Sequence, residues 1–347
     1  MLRAPTPPGV APGLPTTLTW RDTLKRWSLR WGFARNDSIV PAGLYRIGSP
    51  TSISPVLATC NYRMTVDLVR GDLAGVDAWL LVLETYGVNV WCAAGKGTFS
   101  TDELVRRIYG VHLAEIVDHE RIILPQLGAA GVAAQTVREL TGYRVIWGPI
   151  RSADLRAFLA AEQKASPRMR AITFTFAERM ALAPIELVGA FRWIWTVLIL
   201  VALAVLGASI GARAFVPEAA LMALFPATLA YVLGAIVGGA VVPAALPWLP
   251  FRAFSAKSAV AGVLVAVAAL LALPGMLGMM SPWAWAAVIL GVTAFASYVG
   301  VNFTGCTPYT SPSGVERELR SAIPLQAAAL ALSLVFWTVA WATQIGG

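Results

Sequence analysis

Hydrophobic positions along the chain follow two patterns. Over the first 188 residues they come in short runs separated by polar stretches; after that they merge into long apolar blocks. In the first part, Ala78–Glu84 (AWLLVLE), Gly87–Cys92 (GVNVWC), Arg121–Pro125 (RIILP) and Arg144–Trp147 (RVIW) read as buried strands, because short apolar runs bounded by turn residues suit that role. Between them, Ser100–Tyr109, Gly131–Leu140 and Asp154–Gln163 read as helices. Ser100 and Glu103 fit a capping box, in which each side chain satisfies an orphan donor at a helix start. Leu104, Val105 and Ile108 give that helix one apolar face. Strands alternating with helices predict an α/β domain with a largely parallel sheet over residues 36–165. Residues 1–35 read as a tail, Pro-rich at first, then a basic amphipathic stretch from Leu18 to Arg35 expected to be a solvated or frayed helix. Residues 166–188 read as a basic connector carrying Arg168, Arg170 and Arg179.

Residues 189–347 hold five apolar stretches, at 189–210, 219–242, 258–280, 282–302 and 322–343. Each is about 20 residues, enough to cross about 30 Å of hydrocarbon as a helix. An all-α transmembrane domain of five helices is therefore expected. The amino terminus, Met1–Pro15, lacks the apolar core of a secretory signal, so the front domain is expected in the cytoplasm. Loop charges agree: Arg252, Lys257, Arg317 and Arg320 then fall inside, and Arg213 outside. This topology places the chain in the plasma (inner) membrane, with its carboxyl terminus outside. Most of Trp193, Trp195, Trp248, Trp283, Trp337 and Trp341 fall near span ends, where indole rings favour the interface. The spans hold almost nothing ionisable. Ion-coupled carriers need buried charges as relays, so the bundle reads as an anchor.

Charge sharpens the division. From Gly189 onward there are six Lys/Arg and three acids, leaving 21 basic and 16 acidic residues for the first 188 positions. The net charge of +8 does not mark a nucleic-acid binder, since the basic residues are scattered among acids without interleaved aromatics. Cys60, Cys92 and Cys306 form no Cys-x-x-Cys pair. A four-iron cluster needs about four thiolates, which this chain cannot supply alone.

The segment Asn89–Lys96 reads NVWCAAGK, followed by Gly97. Small residues there would let a large flat ligand approach the backbone. A P-loop is excluded, because Val90 stands where its first Gly must be and Gly97 where Ser or Thr must follow Lys. A dinucleotide fingerprint on Gly95 and Gly97 fails at Ser100. A Cys–His pair would need His112 or His119 folded back onto Cys92. On residue type and spacing alone, Cys92 reads more readily as a buried core residue than as a ligand.

The stretch Val88–Thr101, VNVWCAAGKGTFST, closely resembles the cap-helix motif of the corrinoid protein of microbial mercury methylation. The likeness extends to Pro41–Ile47 (PAGLYRI), Asn61–Asp67 (NYRMTVD), Leu124–Val132 (LPQLGAAGV), Trp147–Asp154 (WGPIRSAD), Pro167–Phe176 (PRMRAITFTF) and Asn302–Val315 (NFTGCTPYTSPSGV). The chain departs from the family's usual residues at Glu84-Thr85, at Val88 and at Ala130, and keeps the central motif.

The resemblance implies an α/β Rossmann-like corrinoid-binding domain followed by the five-helix membrane domain. It implies Cys92 as lower axial ligand of the corrinoid cobalt, with the cofactor base-off. Asn89, Val90, Trp91, Ala93, Ala94, Gly95 and Lys96 would form the cap under the ring. The implied activity is a corrinoid-dependent methyltransferase passing a methyl group from Co(III) to Hg(II), giving methylmercury. The implied partners are a methylated-folate methyltransferase and a ferredoxin with two four-iron clusters. The competing expectation is a membrane-tethered dinucleotide- or ligand-binding module without corrinoid chemistry.

Overall fold

The computed structural model describes residues 11–345 except 36, 193–194, 213, 216, 273–279, 306 and 310–311. The chain divides into two units, Met1–Thr173 and Phe174–Gly347.

The first unit is a five-stranded sheet: β1 (Gly43–Ile47), β2 (Val56–Cys60), β3 (Ala78–Leu83), β4 (Arg121–Leu124) and β5 (Arg144–Trp147), in spatial order β1-β3-β2-β4-β5. The parallel sheet expected from the alternation is present from β3 to β5, and β1 adds an antiparallel edge. β2 and β3 are buried at every position. Continuous burial of this kind follows from helices covering both faces of a parallel sheet. On one face, Ala58, Cys60, Leu81, Leu83, Ile122 and Leu124 pack with Val90, Phe99, Leu104 and Val137. On the other, Leu57, Leu80, Val82 and Ile123 pack with Val66, Val69, Leu73 and Phe158. The flanking helices are α2 (Arg63–Asp72), α3 (Val90–Gly95), α4 (Thr101–Gly110), α5 (Ala134–Thr141) and α6 (Leu155–Ala160).

Two expectations are corrected here. The segment taken for a tail is docked: Leu14 N–H donates to Arg46 O (2.8 Å), and Arg46 N–H to Pro12 O (2.9 Å), covering the β1 edge. It continues into α1 (Trp20–Arg30), which closes a capping box between Thr19 and Asp22 and is not frayed. Asp22 pairs with Arg63 and Arg70 (3.1 Å each), while Asp67, 1% exposed, receives both guanidinium Nε groups at 2.8 and 2.7 Å. Arg70 also donates to Pro15 O at 2.5 Å. A buried cation needs such partners, and these tie the N-terminal segment to α2. Secondly, the Ser100 capping box is half formed. Ser100 Oγ accepts from Glu103 N (3.3 Å), but the Glu103 carboxylate turns to Glu84 N (2.8 Å) and to Arg106 and Arg107.

The second unit is helical: α7 (Phe176–Met180), α8 (Ala183–Phe191), α9 (Trp195–Ala212), α10 (Glu218–Ile236), α11 (Val242–Ala245), α12 (Phe254–Ala272), α13 (Pro282–Thr304) and α14 (Pro312–Ile345). Four stretches among the described residues are long and apolar enough to cross a membrane: Leu224–Ala245, Phe254–Ala272, Pro282–Thr304 and Ser313–Thr343. A fifth arises only if Phe176–Phe191 and Trp195–Ile210, bent by 49°, count as one span. The segment that carries Arg317 and Arg320, counted above among the loop charges, is helical from Pro312 onward. At 34 residues, α14 is about 51 Å long, more than the hydrocarbon thickness, so its charged first turns can lie outside the apolar layer. There Glu318 accepts from Ser255 N (2.6 Å) and caps α12.

Helices in this unit approach through small residues. A Cβ on Gly300 of α13 would fall 1.8 Å from Ser258 Oγ of α12, so no side chain fits there. The chain from α10 into α11 passes through a π-helical turn, Val237–Val241. Arg179 donates to Pro243 O and Phe174 O (2.7 Å each) and to Ala244 O, so its charge is met by carbonyls near that turn. Of the sequence features singled out in this region, Trp193, Arg213 and Cys306 lie outside the described residues.

Candidate functional site

The strand expected over Gly87–Cys92 is not formed. β3 ends at Leu83, Tyr86 (φ 55°) and Gly87 (φ 73°) make a left-handed turn, and α3 starts at Val90. The reason is local. Asn89 is a strong N-cap residue, and its Oδ1 accepts the Cys92 N–H at 2.9 Å. The apolar alternation of GVNVWC is overridden by that cap. In the six-residue helix, Val90, Ala93 and Ala94 face the core, while Trp91, Cys92, Gly95 and Lys96 are exposed. A Cβ on Gly131 would meet Phe99 O at 2.1 Å and Ala94 Cα at 3.0 Å, so a glycine there lets the following loop hold α3 from below.

The turn before α3 is held by a residue without a sequence-predicted role. Asn61, fully buried at the end of β2, accepts at Oδ1 from Thr85 N (3.2 Å), Thr85 Oγ1 (2.8 Å) and Gly87 N (3.0 Å). Its Nδ2 donates to Glu84 Oε1 (2.5 Å), which also accepts from Tyr86 N (2.8 Å). Buried polar groups must be paired, and here the pairing fixes the path of residues 84–88 leading into Asn89. The one signal in the sequence was the position of Asn61 at the head of the NYRMTVD stretch.

Beside α3 lies a cavity of about 600 Å³. β2 and β4 pair through one register position, Leu57 with Ile123. Beyond it, Ala58, Thr59, Leu124 and Pro125 all line the cavity, which places it where the two strands part. Strand order reverses there: the chain moves from β2 to β3 on one side, then returns to β4 and β5 on the other. The carboxyl ends of strands at such a reversal form the crevice that binds ligands in α/β sheets. Asn89, Val90 and Trp91 line it from α3, and Asp72, Arg151 and Ser152 add polar groups. Sequence reasoning missed these last three, because no local pattern links them. Among the predicted site residues, Asn89, Val90 and Trp91 thus line the cavity. Cys92, Gly95 and Lys96 lie on the exposed side of the same turn, and Ala93 and Ala94 pack beneath it.

The two described cysteines differ sharply. Cys60 is buried, and desolvation pushes its thiol pKa up, as suits an inert core residue. Cys92 is free and exposed. His119 accepts at Nδ1 from Arg121 N (3.3 Å), so Nε2 carries the proton it donates to Ser54 O (2.9 Å); both nitrogens are engaged away from α3. Gly95 ends a helix and Gly97 follows it, with no strand immediately before them, which removes the context a dinucleotide fingerprint requires. Three cysteines fall short of a four-iron cluster, and the described residues hold no group of three or more metal-binding side chains.

Residues 32–159 match the family described as CO dehydrogenase/acetyl-CoA synthase delta subunit. The match lies within the α/β unit. The likeness is to corrinoid iron–sulfur proteins. The chain is 34% identical over 152 residues to the acetyl-CoA decarbonylase/synthase complex subunit gamma of Methanopyrus kandleri, covering 41% of this chain and 32% of that protein. It is 33% identical over 127 residues to the corresponding subunit of Methanocaldococcus jannaschii, covering 36% and 26%. It is 32% identical over 120 residues to the corrinoid/iron-sulfur protein large subunit of Moorella thermoacetica, covering 34% and 26%. The chain therefore spans about a third or less of the length of these curated relatives.

The site's residues fit a corrinoid. An exposed, unpaired thiol on a short turn adjoins a largely apolar crevice, with Val90 and Trp91 between them. A thiolate is a soft donor suited to a soft metal.

Proposed function

We propose that this chain is a membrane-anchored corrinoid methyl carrier whose acceptor is Hg(II). The carrying observation is Cys92, free and exposed on a capped turn at the edge of the crevice between β2 and β4. The likeness to corrinoid iron–sulfur proteins and the sequence motif Asn89–Lys96 support the cofactor, and the apolar helices support the anchor.

A bound corrinoid supplies a cobalt atom that carries a methyl group and can give it up to Hg(II). The chain's own residues hold and position that cofactor. Cys92 would hold the cofactor's metal through its thiolate, a soft and strongly donating ligand. Asn89 holds the first turn of α3 through the Cys92 N–H, which fixes the backbone that carries the sulfur. Asn61 holds the preceding turn. Trp91 and Val90 give the cap an apolar surface, Ala93 and Ala94 let it seat on the core, and Gly95 and Lys96 complete its outer edge. Electrons for each cycle must come from outside, since the chain has too few cysteines for a four-iron cluster; a two-cluster ferredoxin fits that need. A methylated-folate methyltransferase fits as methyl source. The site would face the cytoplasm from the plasma (inner) membrane.

The test is detergent-purified chain from a corrinoid-competent host, read by visible absorbance and by methylmercury formation in cells. Bound corrinoid in the native chain, with thiolate ligation and methylation both lost in Cys92→Ala, is the expected result. Colourless, cobalt-free native protein would overturn the cofactor. Unchanged methylation in Cys92→Ala would overturn the role of the cysteine.

A further inference from the structure

Helix α1 carries an unpartnered aromatic face. Trp20, Leu24, Trp27 and Trp31 recur at i, i+4, i+7 and i+11, the spacing of one helical stripe, with Trp31 as the C-cap. They are 68%, 59%, 62% and 44% exposed, and Phe33 follows at 50%. The opposite face is engaged: Leu29 is fully buried and Asp22 pairs with Arg63 and Arg70. The stripe therefore points away from its own domain on a helix that the domain holds rigidly. Arg21 and Lys25 border it on one side, and Arg26 and Arg30 on the other. The helix's one acid, Asp22, is turned inward and taken up by Arg63 and Arg70.

We propose that α1 lies in the surface of an anionic bilayer, its tryptophans at headgroup depth and its cations against lipid phosphates. This rests on the membrane-anchored reading above, which keeps a bilayer within reach. Indole rings favour the membrane–water interface, and a helix with an apolar stripe flanked by Lys and Arg is the form that lies there. Four cations against one neutralised acid argue against a second copy of this equally basic chain, and the exposed indole stripe on a chain anchored in a bilayer favours an anionic lipid surface over an acidic groove. Docked in this way, α1 would hold the α/β unit at a fixed face to the membrane, through the same ion pairs that join it to α2.

The test uses the full chain in lipid nanodiscs containing a phosphatidylcholine with a diazirine on its acyl chain, with adducts mapped by peptide mass spectrometry. Adducts on the spans of the second unit report anchoring, and adducts on residues 20–31 report this inference, so the two can fail separately. In discs with about 30% phosphatidylglycerol, residues 20–31 should be labelled at least about threefold more than in pure phosphatidylcholine. The excess should vanish in Arg21→Glu/Lys25→Glu and at high salt, where screening shortens to about 3 Å. Trp20→Ser/Trp27→Ser, both exposed positions, should lose the label while leaving the rest of the peptide map unchanged. Labelled spans with unlabelled residues 20–31 would overturn the proposal. So would labelling independent of lipid charge, or protection of α1 that appears only as the chain dimerises.

Discussion

In the α/β unit, buried and half-buried polar side chains come in connected groups, as with Asp22–Arg63–Asp67–Arg70 and Asn61–Thr85–Glu84. In the helical unit, helices close through small residues such as Gly300, and polar contacts such as Gln326 Nε2 to Ser297 Oγ (2.9 Å) stand apart. The difference follows from what each unit must hold. The first must fix irregular backbone, the docked N-terminal segment and the turn before α3, and irregular backbone needs specific partners for its hydrogen bonds. The second is built of helices that satisfy their own backbone, so close contact suffices.

The strongest way to break this contrast is to remove the hub of a connected group. Asp67→Ala leaves Arg70 buried with its charge only partly met. It should cost about 3–5 kcal/mol, read as a lowered unfolding midpoint of the detergent-purified chain. A loss under about 1 kcal/mol would mean the group is ornamental. Next comes overpacking in the other unit. Gly300→Leu has no room beside Ser258, and should cost about 1–3 kcal/mol or prevent assembly of the helices, read by detergent-resistant proteolysis.

Acidity offers a third handle. The Thr19 N–H holds the Asp22 carboxyl down to about 2, helped by the Thr19 hydroxyl and Arg70 and opposed by burial. Because the folded value lies below the ordinary 3.8, this contribution is complete above that value and is lost as pH falls toward 2. Asp22→Asn should flatten the melting temperature across that window and leave the helical unit's own stability alone. An unchanged acid slope would show that other carboxylates set it. The smallest expected effect is Gln326→Leu, at about 0.6 kcal/mol, since a lone hydrogen bond between apolar helices contributes little. A cost as large as that of Asp67→Ala would erase the contrast.

Legibility in the sequence followed the range of the interactions. Strands Ala78–Leu83, Arg121–Leu124 and Arg144–Trp147 were readable because a short apolar run needs no distant information to become a buried strand. β1 and β2 were missed, as was the docking of residues 11–30. The backbone bonds between Leu14 and Arg46, and the side-chain bonds of Asn61 to a turn 24 to 26 residues away, leave no local pattern. The segment GVNVWC was misread because its alternation suited a strand, while the Asn89 cap within it proved decisive.

By itself, the sequence determined the division into an α/β half and an apolar helical half, and it singled out Asn89–Lys96, since composition and motif are properties of neighbouring residues. Tertiary structure alone decided that Cys92 is exposed while Cys60 is buried, though both lie in apolar surroundings along the chain. It also decided that β2 and β4 part to form a crevice beside α3. Exposure and crevices depend on which strands become neighbours, and strand order is set by packing both sheet faces at once, not by any single stretch of residues.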